Sequence, residues 1–511
     1  MTVTSLPGLT LTAVSPPAEP APLRTDVAVF LGRTTRGPVG VPQRVTSGND
    51  VGYGFGPPDG SAETPYALRG FFENGGRVAW VIRVAGASVT AAAEWVVGEV
   101  RNGRWLPGAP ARGGFRYARY RVEAASPGAW ANHARVTIRF RASSVAGPPA
   151  LNVRISVPGE PVEVFGDVPP AEVEQRLAAS RLIRLVPIGE PVPAEATEPA
   201  GPLTAQWEVS LGGGTDVTPG PEEYALAVET QAALVEPALV AAPDLAGDLA
   251  EPFRTEAVRA LLTAAEQAHD RLVLVDLPTR GADAALAWLA GLSTDDVRSA
   301  AAYHPWLRVP DPAGGLATPL RDVPPSGHVA GLIARLDAER GAWHTPANAV
   351  LLDAVDLVEE LPEPQQVRLF EGGVNLLRCA PGQGLRVWGG RTPSTAPRGR
   401  YVAHRRLVHL LIRAMRGIAD PLVFDVNGPE LRLALVRGVT SVLLDAFRSG
   451  ALAGSRPEEA FRIKCDEDNN APGDDPGQVV CDVQVIPATP MEFIEIRLVL
   501  GQDRGLEVIE R

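Results

Sequence analysis

The residues able to do chemistry are few and poorly grouped. Of seven histidines only His404 and His409 fall within five residues of each other, and on a helix they would stand about 140° apart, a poor arrangement for sharing a metal. The acidic run CDEDNNAPGDD (465–475) places Asp466, Asp468 and Asn470 at alternate positions, as a calcium loop does. Ala471, however, stands where such a loop needs glycine, and Gly477 where it needs the bidentate glutamate. A solvated loop is the expectation there. The glycine-rich GYGFGPPDG (52–60) departs from G-x-G-x-x-G and runs into Pro57 and Pro58, so it reads as a turn and not as a phosphate cradle. No G-x-x-x-x-G-K-[ST], H-E-x-x-H or G-x-S-x-G motif occurs. Lys464 is the single lysine, so phosphate-loop or Schiff-base chemistry would have to use it. Serine, histidine and aspartate are present, with nothing to bring them together as a hydrolase triad. The sequence predicts no catalytic residue, no metal site and no cofactor.

Two other groups could act by contact. Arg398, Arg400, Arg405, Arg406, Arg413 and Arg416 form the one basic concentration; they read as a solvated helix face or as an electrostatic contact with an acidic protein surface. Trp80, Trp306, Trp343 and Trp388 lie in apolar stretches and read as core anchors.

The remaining composition narrows the classes. The chain has 511 residues, enough for about three domains, with 45% apolar and 21% charged residues, the balance of a chain that buries a large core. Its net charge of −12 opposes a nucleic-acid partner. With 52 glycines and 49 prolines it predicts many turns and long loops. Three cysteines, Cys379, Cys465 and Cys481, are an odd number without C-x-x-C spacing, which argues against a disulfide framework and a structural zinc. The amino terminus lacks the basic and apolar regions of a secretory signal. No stretch reaches the roughly 20 continuous apolar residues of a membrane span. A soluble protein of the reducing cytoplasm, without direct membrane insertion, is expected.

The elements that must position these residues are those of a mixed α/β chain. Residues 1–25 carry Leu6, Leu9 and Leu11 in alternation and then four prolines, the pattern of an extended arm. The run VAVFLG (27–32) reads as a buried strand, 66–74 as a helix stopped at Gly75-Gly76, and 78–84 as a strand. Short β-like runs between glycine and proline clusters, FRYARYRVEA, ARVTIRFRA and LNVRISV, predict an inserted antiparallel β module over 90–220. The α/β pattern then returns, with helices expected over 251–270, 282–292, 401–415 and from Pro429 to about Phe447. The last of these has Leu431, Leu435, Val439, Val442 and Leu443 on one face and Arg437, Ser441, Asp445 and Arg448 opposite. Two strands follow, 479–486 and 493–500; in the second Ile494, Ile496, Leu498 and Leu500 share one face.

Several segments carry a resemblance. VAVFLGRTTRGPVGVPQRVTS (27–47) and FFENGGRVAWVIRV (71–84) form an amino-terminal block. YHPWLRVPDP (303–312), PPSGHVAGLIARLDAERGAWHTPAN (324–348) and GGVNLLRCAPGQGLRVWGGRT (372–392) form a central one, and YVAHRRL (401–407) and FRIKCDEDNN (461–470) a carboxy-terminal one. In this order the chain resembles the tail sheath proteins of contractile phage tails and bacterial contractile injection systems. Residues 90–220 carry no part of the match.

The resemblance implies a structural subunit that polymerises as stacked hexameric rings around an inner tube and contracts to drive that tube through an envelope. It implies as partners further copies of this chain, the inner tube protein, and baseplate and cap proteins, and as localisation assembly in the cytoplasm. Terminal arms would add strands to a neighbour's sheet, with Leu6, Leu9, Leu11, Ile494, Ile496, Leu498 and Leu500 as arm-strand residues and the proline-bearing stretches 16–22 and 487–490 as linkers. Arg437, Asp445 and Arg448 are the candidate inner-tube contact. The organisation expected is an arm at 1–25, core α/β segments at 26–89, 221–370 and 371–486 around the outward β module at 90–220, and a strand arm at 487–511. A multidomain hydrolase-like enzyme and a sheath-fold terminator at a cap or baseplate junction remain the alternatives.

Overall fold

In a computed structural model the described residues are 24–101, 104–106, 115–142, 148–192, 204–277, 281–292, 296–317, 319–380, 382–396, 399–471, 477–488, 494–501 and 505–510. The chain divides into two compact units, one of Thr25–His409 and one containing Leu410–Arg511.

The first unit is organised by an eight-stranded sheet. Its order is Gln43–Val45, Val78–Arg83, Val27–Gly32, Leu239–Ala241, Leu272–Asp276, Ala300–His304, Val374–Ala380 and Gly384–Trp388. The six inner strands are parallel and the two edges antiparallel. Parallel strands joined by crossovers are covered on both faces, which requires apolar residues at odd and even positions alike. VAVFLG satisfies this. Ala28 and Phe30 enter one core layer with Leu239, Leu272, Leu274 and Tyr303, while Val29 and Leu31 enter the other with Val240, Val273 and Leu262. Helices Thr64–Glu73 and Ser326–Arg340 contribute to the first layer, and helices Pro221–Ala232, Phe253–Ala268 and Ala282–Ala290 to the second.

The sheet takes strands from all three expected core segments, so the division expected at 370/371 falls inside it. Strand Val374–Ala380 pairs in parallel with Ala300–His304, and a boundary there would cut backbone hydrogen bonds. The chain divides instead between His409 and Leu410, inside helix Val402–Ala419.

Between Val78–Arg83 and Leu239–Ala241 the chain makes an antiparallel β module. One sheet runs Glu163–Val168, Ala150–Ser156, Arg135–Arg141, Thr204–Ser210; the other Ile183–Pro191, Tyr117–Ala124, Ala92–Val96. Alternating burial in Arg135–Arg141 and Ala150–Ser156 points Val136, Ile138, Val153 and Ile155 into a common core. There Trp95 stacks on Tyr120 at 5.2 Å and meets Trp207 edge-on. Arg36, at 2.6 Å from Glu160, and Arg83, donating to the Gly37 and Pro127 carbonyls, tie this module to the main sheet.

Part of the glycine-rich stretch differs from the expected turn. Ser47 accepts a hydrogen bond from the Asp50 amide, capping a helix Gly48–Phe55 that takes in Gly52 to Phe55. The chain turns only at Gly56, whose φ of 85° is open to glycine.

In the second unit, helix Pro429–Arg448 buries Leu435, Val439, Leu443 and Ala446. The strands Phe461–Lys464, Gln478–Val485, Ile494–Gly501 and Gly505–Glu510 form an antiparallel sheet in that order.

Candidate assembly surfaces

Helix Pro429–Arg448 starts where Gly428, in extended conformation, is followed by proline at the first helical position. The expected polar stripe is formed: Arg437, Ser441, Asp445 and Arg448 are all exposed, with Leu433 one turn ahead of them. Arg448 lies 3.4 Å from Asp445 with both side chains largely in solvent, a pair too hydrated to hold the fold. In the loop before the helix, Phe424 is 85% and Val426 88% exposed. Two fully presented apolar side chains ahead of a helix with an exposed charged stripe are features suited to a partner. The sequence does not single them out, since isolated apolar residues in a loop carry no periodicity to mark which way they face.

The carboxy-terminal sheet is the second surface. Val479, Cys481, Val483 and Val485 are buried on one face of strand Gln478–Val485. The register sets Leu500, Leu498, Ile496 and Ile494 directly opposite these four. The strand expected to reach an adjacent subunit therefore pairs here with its own chain. Among the described residues Phe461–Lys464 and Gly505–Glu510 are the sheet's two edge strands. Leu6, Leu9 and Leu11 lie outside the described residues.

The basic concentration divides: Arg400 is exposed and Arg416 half-buried, while Arg398 lies outside the described residues. Arg405 is fully buried and Arg406 and Arg413 are 4% exposed, because helix Val402–Ala419 lies in the interior. Arg406 forks onto both oxygens of Asp337 and donates to the Thr25 carbonyl. Arg405 reaches Ser299 at 3.4 Å and Glu266 at 3.9 Å. Arg405 and Arg406 are core struts, which corrects both readings for these two residues. His404 and His409 are buried too, His409 lying 3.4 Å from the Ser299 hydroxyl. The tryptophans divide: Trp80 donates to Glu236 and Trp306 to the Leu277 carbonyl, both part-buried, whereas Trp388 on the edge strand is 46% exposed and carries Arg378 on its ring. It is not a core anchor.

The carboxyl ends of the parallel strands, where doubly wound enzymes hold ligands, are occupied by the chain's own contacts. Asp244 accepts from the Arg33 and Glu63 amides at 2.7 and 2.6 Å and from the Thr64 hydroxyl at 2.6 Å. Asp248 pairs with Arg33 at 2.9 Å and accepts from the Tyr224 hydroxyl. Asp276 accepts from the amide of Ser326, which opens helix Ser326–Arg340. Burial, aided by neighbouring carboxylates, pushes Asp248 up to about 6 and Asp276 up to about 7. The network was not legible in sequence, since Asp244 stands 180 residues from Thr64. Among the described residues no group of three or more His, Cys, Asp or Glu is arranged to hold a metal ion. The run after Lys464 is a built turn: Asn470 bonds Val480 through both its side-chain atoms, and Asn469 bonds Asp482. No helix among the described residues is long and apolar enough to cross a membrane.

Comparison with known proteins agrees with this architecture. Residues 221–393 match the family model described as phage tail sheath protein central domain. The tail sheath protein of Enterobacteria phage T4 is 27% identical over 184 residues, covering 35% of this chain and 27% of that protein. The tail sheath protein of Burkholderia phage BcepMu is 28% identical over 158 residues, covering 27% of this chain and 32% of that one. The matches thus span about a third or less of those relatives' own lengths. Among solved structures, the sheath tail protein from Listeria innocua superposes with a TM-score of 0.66 at 13% identity, over 95% of this chain and 97% of that chain. The helical sheath of the anti-feeding prophage in its contracted state superposes with a TM-score of 0.55 at 21% identity, over 96% and 98%. These matches give the chain a phage tail sheath protein central domain at residues 221–393 and the fold of solved sheath proteins.

Proposed function

We propose that this protein is the repeating subunit of a contractile sleeve, stacked as hexameric rings around an inner tube, whose shortening drives the tube through a target envelope. The observation that carries the reading is the sheath central domain at 221–393 within a chain that shares the fold of an assembled, contracted sheath. The carboxy-terminal sheet supports it. Strand Ile494–Gly501 is held by backbone pairing to Gln478–Val485, and the same bonds can be made to the equivalent strand of a neighbour, so exchange costs few contacts. The amino-terminal arm, with Leu6, Leu9 and Leu11, serves the same linkage.

Arg437, Asp445 and Arg448 on helix Pro429–Arg448 face the inner tube in this reading, and the rings end against baseplate and cap proteins. The particle is assembled in the cytoplasm. Contraction needs no nucleotide: a gain of a few kcal/mol per subunit, summed over a long sleeve, is a large store of assembly energy.

Negative-stain electron microscopy of the full chain, alone and co-expressed with its inner tube, beside a version lacking residues 1–22, tests this. Tubes or ring stacks formed by the full chain and lost on truncation are expected. Small soluble oligomers from the full chain, even with the tube present, would overturn it.

A further inference from the structure

Cys465 and Cys481 are brought face to face by the carboxy-terminal sheet. Strand Phe461–Lys464 pairs with Gln478–Val485 in a register that sets Phe461 opposite Val485 and Lys464 opposite Asp482. One step further, the same register sets Cys465 opposite Cys481.

The kind of pair follows from the ladder. The Ile486 amide donates to the Ala460 carbonyl, so the backbone groups of Ile486, Gln484 and Asp482 point toward the first strand, because successive residues alternate. Val480 continues the series: its amide and carbonyl both point to that side and are taken by Asn470, at 2.6 and 2.9 Å. The backbone of Cys481 therefore points the other way, and Cys465 with Cys481 is a non-hydrogen-bonded pair. In such pairs the Cα atoms are about 4.5 Å apart and the side chains closest. That separation lies in the range a disulfide spans.

The side chains agree. The two thiols lie close enough to perturb each other, Cys465 being held below the ordinary thiol range and Cys481 pushed well above it. Cys481 is fully buried, and Cys465 is half-buried against Ala419, Leu435 and Val479. The adjacent Cys481 thiol, and the nearby Arg432 guanidinium, favour the Cys465 thiolate and hold its thiol below the ordinary range. Cys379, by contrast, is exposed and lies in the other unit.

We propose that Cys465 and Cys481 are a redox-active pair that closes to an intramolecular disulfide on meeting a low-molecular-weight disulfide, stapling strand Phe461–Lys464 to strand Gln478–Val485. The Cys465 thiolate attacks one sulfur of the oxidant, forming a mixed disulfide and releasing one thiolate. The Cys481 thiol gives its proton to the thiolate released in the first step and attacks the Cys465 sulfur, releasing the second thiolate, which takes a proton from solvent. Two protein thiols are oxidised by two electrons and the small disulfide is reduced to two thiols. The chemistry rests on the two strands alone and holds whether or not the chain polymerises.

The test uses the full chain carrying Cys379→Ser, incubated with oxidised glutathione and read by intact mass and thiol titration. The expected result is a mass lower by about 2 Da and loss of both titratable thiols. Cleavage at the acidic residues between the two cysteines should yield one linked pair of peptides, separated by reductant. With Cys481→Ser added, Cys465 should stop at a stable glutathione adduct. A stable adduct on Cys465 with Cys481 still free in the Cys379→Ser protein would overturn the proposal. So would two untouched thiols under conditions that fully modify Cys379 of the unsubstituted chain.

Discussion

Gly331 and Phe71 touch backbone to backbone: a Cβ on Gly331 would overlap the Phe71 carbonyl oxygen. Gly327, one turn earlier on the same helix, stands in the same relation to the Ala67 carbonyl, and Gly70 on the facing helix receives the His328 ring. Helices Thr64–Glu73 and Ser326–Arg340 thus approach along a seam where only hydrogen fits, which lets both cover one face of the sheet.

Gly331→Ala follows as a test of that seam. In a free helix the change would stabilise by about 1 kcal/mol, but the overlap with a rigid carbonyl outweighs it, and a net loss of about 2 kcal/mol is expected. Gly54→Ala is the control, since nothing lies within 4 Å of a Cβ there. Denaturant titration should show the first variant weakened and the second unchanged or slightly stabilised. Equal behaviour of the two would mean the seam is looser than described.

The ion pair of Arg406 with Asp337 yields a second prediction. Both side chains are 4% exposed, so removing one partner leaves an uncompensated buried charge. Arg406→Met should cost about 3–5 kcal/mol, and Arg406→Met combined with Asp337→Leu should recover most of that. A double variant no better than the single one would show that the Thr25 carbonyl, the other acceptor of Arg406, matters more than the carboxylate.

Asp276 sets a pH dependence. Its carboxyl is pushed up to about 7 by burial, against about 3.9 in an unfolded chain. Between these values the folded protein holds a proton that the unfolded chain releases, so this residue's contribution to stability falls as pH rises from about 4 to 7. Asp276→Asn keeps an oxygen to accept from the Ser326 amide and removes the titration. It should be more stable than the parent at pH 8, with the difference shrinking toward pH 5, as followed by melting temperature. A constant difference across that range would refute the assignment.

The helix stripe gives a prediction about assembly. Arg437→Glu with Arg448→Glu lies on a solvated face, so the melting temperature of the subunit should stay within the small range of surface substitutions. Sleeve formation on the inner tube should be lost, as seen by co-sedimentation. Normal sleeves from this variant would remove the stripe from the proposed contact.

Sequence alone determined what local pattern encodes. VAVFLG announced a strand covered on both faces because all six of its residues suit burial. The period of Leu435, Val439 and Leu443 announced helix Pro429–Arg448 and its exposed opposite stripe. Alternation in ARVTIRFRA and LNVRISV announced the antiparallel module, and the order of whole segments carried the sheath resemblance. Tertiary structure decided what depends on partners far along the chain. A buried arginine reads like a solvated one until Asp337, 69 residues away, is placed against it. Asp244 becomes a staple only when strands Val27–Gly32 and Leu239–Ala241, far apart in sequence, lie side by side. Cys465 and Cys481 became a pair only once strand register was set, because register follows from backbone hydrogen bonding across a turn, which no residue pattern within either strand specifies.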